Sequence, residues 1–298
     1  MEKRQLGKTD MQVAVLGFGG AEIGFEGVSK ATVTRLLDSA LDAGLNVIDT
    51  AECYENSEEL IGQAVAGRRK DYYLLTKCGH PETMEIEDWR PPSLLRSVER
   101  SLRRLRTDYL DVVQLHSCSG AELRQGDVIE ALQRARERGY TRYIGYSGDG
   151  DAARYAIECD QFDTLQLSVS IADQEALELV LPLAGEHGIG VIAKRPIANA
   201  AWKTKRKPAD EYYHTYWERL RKLDYDFLRR DMQDAVATAL RFPLSVPGVH
   251  TAIVGTAKPS RFAENAAMLT VGPLPAEQFD KICARWRAVA DATWGGQI

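Results

Sequence analysis

Short apolar runs alternate with amphipathic segments of helical spacing along nearly the whole chain. Eight runs have the length and composition of buried strands: 13–18, 46–49, 72–76, 109–115, 143–146, 164–167, 191–193 and 252–254. Between them, apolar residues recur on one helical face, as Leu94, Val98, Leu102 and Leu105 do. Eight strands, each followed by a helix, predict a parallel sheet, and this number matches a closed (β/α)8 TIM barrel.

The competing α/β fold is a doubly wound sheet that binds a dinucleotide at its first strand–helix turn. Its Gly-x-Gly-x-x-Gly fingerprint would have to lie at 17–22, where the third glycine position holds Glu22. A carboxylate there would face the pyrophosphate, so the TIM barrel is favoured. Residues 4–13 are predicted to form a short N-terminal β-hairpin, and the insertion 199–228 predicts a functional lid or a disordered loop. Without a linker or composition break, residues 1–298 are expected to form a single domain.

The charge balance argues against one class of partner. The 298 residues include 43 acidic and 38 basic side chains, whereas a nucleic-acid-binding protein normally presents a clustered basic surface. The first twelve residues lack the apolar core of a signal peptide, and no run approaches the ~18 apolar residues of a membrane helix. Five cysteines without a C-x-x-C pair predict reduced thiols. We therefore expect a cytoplasmic protein without nucleic-acid or membrane partners, and its oligomeric state stays open.

Four polar side chains lie at or just beyond three successive predicted strands. Asp49 ends the second strand, Tyr54 lies in the following loop, Lys77 follows the third strand and His116 follows the fourth. Because TIM-barrel active sites form at the carboxyl ends of the strands, we expect these side chains to lie together.

These four residue types suit the reduction of a carbonyl group. Hydride transfer to a carbonyl leaves an alkoxide, which Tyr54 can protonate if its pKa, about 10 in model peptides, is brought toward neutrality. Lys77 beside the phenol would lower that pKa, and Asp49 would hold the buried ammonium group in place. His116 would donate a hydrogen bond that orients the carbonyl oxygen.

A zinc site is the alternative at the same strand ends. Cys78, His80, His116 and Cys118 make up a Cys2His2 ligand set, but their spacing is unusual for structural zinc. We expect no metal, and we interpret the cysteines as ordinary buried or loop residues.

The longer motifs around these residues resemble those of the aldo-keto reductase superfamily. The similarity extends from Leu6 to Met268 and is carried by 46–62, 76–77 and 108–116, and by Gly255, Thr256, Arg261 and Asn265. It implies a (β/α)8 barrel that reduces carbonyl compounds with a nicotinamide cofactor, usually NADPH, and without a metal. It also implies that Tyr54 is the proton donor, that Asp49 and Lys77 tune it, and that His116 orients the substrate.

The resemblance further implies where NADP(H) binds. The segment 252–265 is a strand, a turn and a helix start, and such a helix start provides an anion site. By resemblance, Gly255 and Thr256 belong to this cradle, Arg261 binds the 2'-phosphate and Asn265 binds the adenine.

The nicotinamide end of the implied cofactor site departs from the family pattern. By resemblance, Ser147 and Gln166 bind the nicotinamide carboxamide, but Gly148 stands where the family typically has asparagine. Lys194 replaces an aromatic residue that stacks on the nicotinamide in many members, and Arg195 could reach the pyrophosphate.

The favoured interpretation is an NADPH-dependent oxidoreductase that reduces an aldehyde or ketone, a small-molecule carbonyl substrate, to an alcohol. One alternative is a nucleotide-binding regulatory subunit with little turnover. Another is an NAD-dependent sugar or polyol dehydrogenase, against which Arg261 argues mildly.

Overall fold

The computed structural model describes residues 1–297, which begin with a short antiparallel hairpin. Strands β1 (Lys3–Gln5) and β2 (Gln12–Ala14) pair with Arg4 opposite Val13, which confirms the predicted hairpin. Gly7, in its turn, has φ +55°, and a Cβ there would lie 2.3 Å from the main-chain nitrogen of Gly190. A side chain at residue 7 would therefore separate the hairpin from the barrel.

Eight parallel strands close into a barrel in the order β10-β3-β4-β5-β6-β7-β8-β9. They are β3 (Leu16–Gly19), β4 (Val47–Asp49), β5 (Tyr73–Cys78), β6 (Leu110–His116), β7 (Thr141–Ser147), β8 (Thr164–Ser168), β9 (Gly190–Lys194) and β10 (Val249–Gly255). The (β/α)8 TIM barrel is confirmed, and no doubly wound sheet forms among residues 1–297.

The predicted strands differ from the observed ones by one to three residues at their ends, and the first of them is interrupted. The run 13–18 is divided between β2 and β3, and Val15 lies at the break. The Val15 amide donates to the Glu2 carbonyl at 3.1 Å, whereas its own carbonyl accepts from Ala252 at 2.9 Å. The chain therefore changes partner at this residue, from the hairpin to the barrel, and a continuous apolar run does not reveal that change.

Helices surround the barrel. They are α1 (Ala21–Phe25), α2 (Lys30–Asp42), α3 (Ser57–Val65), α4 (Pro91–Leu105), α5 (Gly120–Gln125), α6 (Asp127–Glu137), α7 (Gly150–Glu158), α8 (Ala176–Leu179), α9 (Leu181–Glu186), α10 (His214–Leu223), α11 (Met232–Ser245), α12 (Arg261–Met268) and α13 (Ala276–Val289). Helix α4 buries Leu94, Val98 and Leu105 as its spacing predicted, and Pro91 occupies its first turn. None of the helices in the described residues is both long enough and apolar enough to cross a membrane.

The interior of the barrel contains an apolar cluster separate from the core under the helices. Val47, Leu75, Val112, Ile192 and Ile253 come from the strands, and hairpin residues 6, 11 and 13 pack against them. The apolar cluster and the hairpin close the end of the barrel at which the strands begin. Polar side chains that face the interior therefore lie toward the carboxyl ends of the strands.

The insertion 199–228 is folded and packed. It contains α10 and all or most of three short 3-10 turns, Ala198–Lys203, Glu211–Tyr213 and Asp226–Arg229. Tyr216, Leu220, Leu223 and Phe227 are buried in the main core. These contacts pack the second half of the insertion against the core, whereas residues 203–212 are mostly exposed.

Candidate active site

Asp49 and Lys77 form a buried ion pair at the ends of β4 and β5. The Lys77 Nζ donates to Asp49 Oδ2 at 2.5 Å and to the Thr50 carbonyl at 2.8 Å. Asp49 Oδ1 accepts from the amide groups of Gln114 and Gln166 at 3.2 and 2.9 Å. Buried charges are tolerated when their remaining polar atoms are hydrogen-bonded in this way.

Tyr54 and His116 complete the predicted group of four. The Lys77 ammonium lies 5.1 Å from the centroid of the half-buried Tyr54 ring. The Tyr54 and His116 rings meet edge to face, with centroids 5.7 Å apart. The fold therefore brings together all four side chains on which the sequence-based hypothesis depends.

The pKa of Tyr54 is raised well above its ordinary value of 10. Burial is the main cause, and the negative charge of Asp49 adds to it, whereas Arg195 acts in the lowering direction. This is opposite to the expectation that Lys77 brings the pKa toward neutrality. Because Lys77 is paired directly with Asp49, its charge is largely compensated where the phenol lies. Tyr54 therefore keeps its proton at neutral pH.

The pKa of His116 is lowered well below its ordinary value of 6.5. Burial is the main cause, and the charge of Lys77 acts in the same direction. The imidazole is therefore neutral at pH 7 and carries a single N–H. Its Nδ1 lies 3.5 Å from the Cys53 Sγ.

The four side chains of the alternative zinc site bond elsewhere. His80 Nε2 lies 2.7 Å from the main-chain oxygen of His116, so it serves as a donor to that carbonyl. The Cys78 thiol donates to the Gln114 carbonyl at 3.7 Å, and the Cys118 thiol donates to the Ser119 carbonyl at 3.8 Å. In residues 1–297, no group of three or more His, Cys, Asp or Glu side chains is placed to hold a metal.

The two residues proposed for the nicotinamide carboxamide lie side by side. Ser147 and Gln166 are in register on β7 and β8, and the Ser147 hydroxyl donates to Gln166 Oε1 at 3.2 Å. Gly148 follows them without a side chain, and a Cβ there would lie 2.4 Å from the Tyr146 hydroxyl. The Tyr146 ring thus occupies the space that a side chain at residue 148 would need.

Lys194 and Arg195, at the end of β9, are bonded within the protein. Lys194 pairs with Asp149 at 2.9 Å and is mostly buried. The Arg195 Nε lies 3.3 Å from the Tyr212 hydroxyl, and its Nη1 donates to the main-chain oxygen of Gln297. A ligand that binds Arg195 through these guanidinium nitrogens would have to share or displace those partners.

The predicted phosphate site forms where β10 leads into α12. Arg261 begins α12 and pairs with Glu264 at 3.0 Å, with both side chains partly exposed, while Asn265 is buried. Partial burial lowers the pKa of Lys203, and repulsion from Arg261 and Lys258 lowers it further. Three cations from two segments of the chain therefore meet at this turn.

Gly255, at the end of β10, lies beneath a carboxylate. A Cβ on Gly255 would lie only 1.5 Å from Glu22 Oε2, so a side chain there would have to displace that carboxylate. Burial raises the pKa of Glu22. Thr256, the other predicted cradle residue, turns its hydroxyl toward the Lys258 amide, from which it accepts at 3.0 Å.

Sequence reasoning missed three polar residues of this site. Gln114 contacts Asp49, Cys53 contacts His116, and Asp149 pairs with Lys194. Gln114 lies two residues before His116 on β6, and the two-residue period of a strand could have identified it. Cys53 and Asp149 lie in loops, where the spacing of residues in the sequence does not predict which side chains they contact.

The comparisons with known proteins agree with this geometry. The sequence profile of the Aldo/keto reductase family matches residues 15–287. The uncharacterized oxidoreductase YqkF of Bacillus subtilis (strain 168) is 30% identical over 283 residues, covering 89% of this chain and 90% of YqkF. L-galactose dehydrogenase of Arabidopsis thaliana is 27% identical over 317 residues, covering 100% and 98% of the two chains.

A solved structure shows the same architecture. The holo form of aldo-keto reductase AKR11C1 from Bacillus halodurans superposes with a TM-score of 0.85 and 28% identity, covering 99% of each chain. The matched profile spans every strand of the barrel and all four residues of the Tyr54 group. The chain therefore belongs to the aldo-keto reductase family, a family of oxidoreductases that use nicotinamide cofactors.

Proposed function

We propose that this protein is a single-domain, NADPH-dependent oxidoreductase that reduces an aldehyde or ketone to an alcohol. The observation that carries the proposal is the position of the Tyr54 ring, 5.1 Å from the Lys77 ammonium of the Asp49–Lys77 pair and edge to face with His116. The directions of the two pKa shifts favour a protonated Tyr54 and a neutral His116 at pH 7. Reduced nicotinamide, when bound, supplies the hydride that adds to the carbonyl carbon.

Each of the four side chains has a separate task in this proposal. The neutral imidazole of His116 donates a hydrogen bond to the carbonyl oxygen and orients it. Tyr54 transfers its hydroxyl proton to the oxygen as negative charge develops there, because an alkoxide is a far stronger base than a phenolate. Lys77, held in position by Asp49, lies over the Tyr54 ring, and the charge of Arg195 favours the phenolate that remains.

The cations at the β10–α12 turn fit a cofactor that carries a phosphate there. Lys203, Lys258 and Arg261 repel one another, and only Arg261 has an acidic partner within ion-pair distance among the described residues. A phosphate would relieve this repulsion, which supports NADP(H) over NAD(H). The rest of the cofactor would be held by Ser147, Gln166 and Arg195. Lys194 would contribute to the cofactor site while paired with Asp149.

Replacing Arg261 with alanine should weaken NADPH binding by about tenfold and leave NADH binding nearly unchanged. A charge-assisted hydrogen bond contributes roughly 1.5–3 kcal/mol, and the partial exposure of Arg261 places it at the lower end of that range. Fluorescence titration of both cofactors measures the effect. Glu264→Gln is the matched control, because it frees the guanidinium and should strengthen NADPH binding. Equal weakening of both cofactors by Arg261→Ala would show that Arg261 is structural.

The pH profile of reduction tests the two pKa shifts. Reduction requires protonated Tyr54, so its raised pKa moves the alkaline loss of activity above pH 10. The lowered pKa of His116 keeps its ring neutral, and its hydrogen-bonding pattern unchanged, to well below pH 6.5. We expect kcat/KM for the carbonyl substrate to stay level from about pH 6.5 to about pH 9.5. A decline centred near pH 8 would show that Tyr54 is activated toward neutrality instead.

A sugar dehydrogenase is the second candidate, because L-galactose dehydrogenase is similar over the whole chain. The decisive experiment is a two-way screen of the purified protein. NADPH oxidation is followed with aldehydes, ketones and aldoses, and NAD+ or NADP+ reduction is followed with sugars and polyols. Turnover with simple carbonyl compounds and NADPH supports the proposed reductase. Turnover confined to sugars and NAD+ would establish the dehydrogenase, and no turnover in either direction would favour a regulatory subunit.

A further inference from the structure

Cys53 lies against the imidazole of His116 and is not part of the proposed group of four. Its Sγ is 3.5 Å from His116 Nδ1, and only 2% of the residue is exposed. Its second neighbour is the thioether of Met84, whose Sδ is also 3.5 Å from the thiol. The single thiol proton therefore has two possible acceptors.

The two acceptors differ in strength. A thioether sulfur is a weak acceptor, whereas an unprotonated imidazole nitrogen is a strong one. We expect the Cys53 proton to point to His116 Nδ1. That nitrogen then accepts, and the single N–H of the neutral ring must be on Nε2.

The opposite tautomer would be unproductive. With the proton on Nδ1, His116 would donate to the Cys53 sulfur, and Nε2 would have only a lone pair to present to the substrate. A carbonyl oxygen is an acceptor and cannot bond to a second acceptor. The choice of tautomer therefore decides whether His116 can orient a carbonyl group at all.

The rest of the environment holds the ring without selecting a tautomer. His80 bonds to the main-chain oxygen of His116 at 2.7 Å, and the two imidazole rings are perpendicular with centroids 5.5 Å apart. Tyr54 meets the ring edge to face. In the described part of the chain, Cys53 is the side chain that contacts Nδ1.

We propose that Cys53 is a positioning residue that sets the tautomer of His116 by donating its thiol hydrogen bond to Nδ1. The consequence for turnover rests on the proposed function, in which Nε2 donates to the substrate carbonyl. The tautomer itself does not, because it is a property of the folded protein and can be measured without a substrate.

The test compares three variants with the wild type. Cys53→Ala removes the donor, Cys53→Ser keeps a hydroxyl donor of similar size, and Met84→Leu removes the competing acceptor. Nitrogen-15 NMR of histidine-labelled protein reports the tautomer, with His116→Gln to assign the resonance. Thermal unfolding of each variant shows whether it is folded.

In Cys53→Ala we expect a growing Nδ1–H population and a kcat about three- to tenfold lower, the range that follows from losing one hydrogen bond. The KM for the cofactor should not change. Cys53→Ser should restore both the Nε2–H tautomer and kcat, and Met84→Leu should retain both. A purely structural role of Cys53 would lower stability without moving the tautomer.

An unchanged Nε2–H tautomer and unchanged kcat in folded Cys53→Ala would overturn the proposal. If Cys53→Ala does not fold, a Cys53→Ser variant with the Nδ1–H tautomer would overturn it equally, and a retained Nε2–H tautomer would support it. A tautomer shift in a protein that reduces no carbonyl compound would leave Cys53 assigned and would instead refute the reductase.

Discussion

Tyr54→Phe should lower kcat for carbonyl reduction by at least ~10²-fold while cofactor affinity stays nearly unchanged. The substitution keeps the ring that packs edge to face against His116 and removes only the hydroxyl. No other hydroxyl is proposed to protonate the alkoxide. Stopped-flow or steady-state oxidation of NADPH, combined with a cofactor titration, measures both quantities.

A second Tyr→Phe variant tests whether the loss of any tyrosine hydroxyl lowers kcat. Tyr140 donates to Glu99 at 3.2 Å and precedes β7, so it lies at the opposite end of the barrel from Tyr54. Tyr140→Phe should leave kcat unchanged. If Tyr54→Phe retains near-normal turnover while correctly folded, Tyr54 is not the proton donor.

Arg219→Met should destabilise the fold by about 3–5 kcal/mol, since it breaks a buried ion pair and leaves one charge uncompensated. Arg219 in α10 and Asp173 beyond β8 are both almost fully buried and directly paired. Arg219 also donates to the Gly295 carbonyl at 2.8 Å and lies over the Trp294 ring. The guanidinium thus joins the insertion, a strand-end loop and the C-terminal segment. Urea unfolding monitored by tryptophan fluorescence should show the loss.

Two further variants separate the buried pair from general effects on α10. Arg221 is exposed on the same helix, and Arg221→Met should change stability by no more than about 0.5 kcal/mol. Asp173→Asn added to Arg219→Met removes the uncompensated carboxylate and should recover part of the loss. Equal effects of Arg219→Met and Arg221→Met would mean that the buried pair contributes nothing of its own.

The polar residues at the strand ends could be predicted, because their positions depend on where each apolar run ends in the sequence. Asp49, Lys77 and His116 each lie at the end of a short apolar run, and a parallel barrel presents all such ends on one face. A parallel sheet thus converts sequence position into spatial proximity. The same argument reached Tyr54, five residues beyond the end of β4 and in the loop that follows Asp49.

The surroundings of those residues could not be predicted in the same way. The partners of Lys194 and Arg195 lie far away in the sequence, at Asp149 in another loop and at Gln297 near the C-terminus. The direction of the Tyr54 pKa shift depends on the burial of the phenol and on the pairing of Lys77 with Asp49. Both are properties of the folded chain.

The sequence by itself determined the barrel and the identity of its polar strand ends, because the alternation of strands and helices is written in the period of apolar residues. Only the tertiary structure decided where β2 stops and β3 begins, whether the insertion is folded, and which cations have partners. Hydrogen bonds and ion pairs act over a few ångströms between residues up to a hundred or more positions apart, as from Arg195 to Gln297. No local pattern records such a contact, so the protonation states and the partners of the site become visible only after the chain has folded.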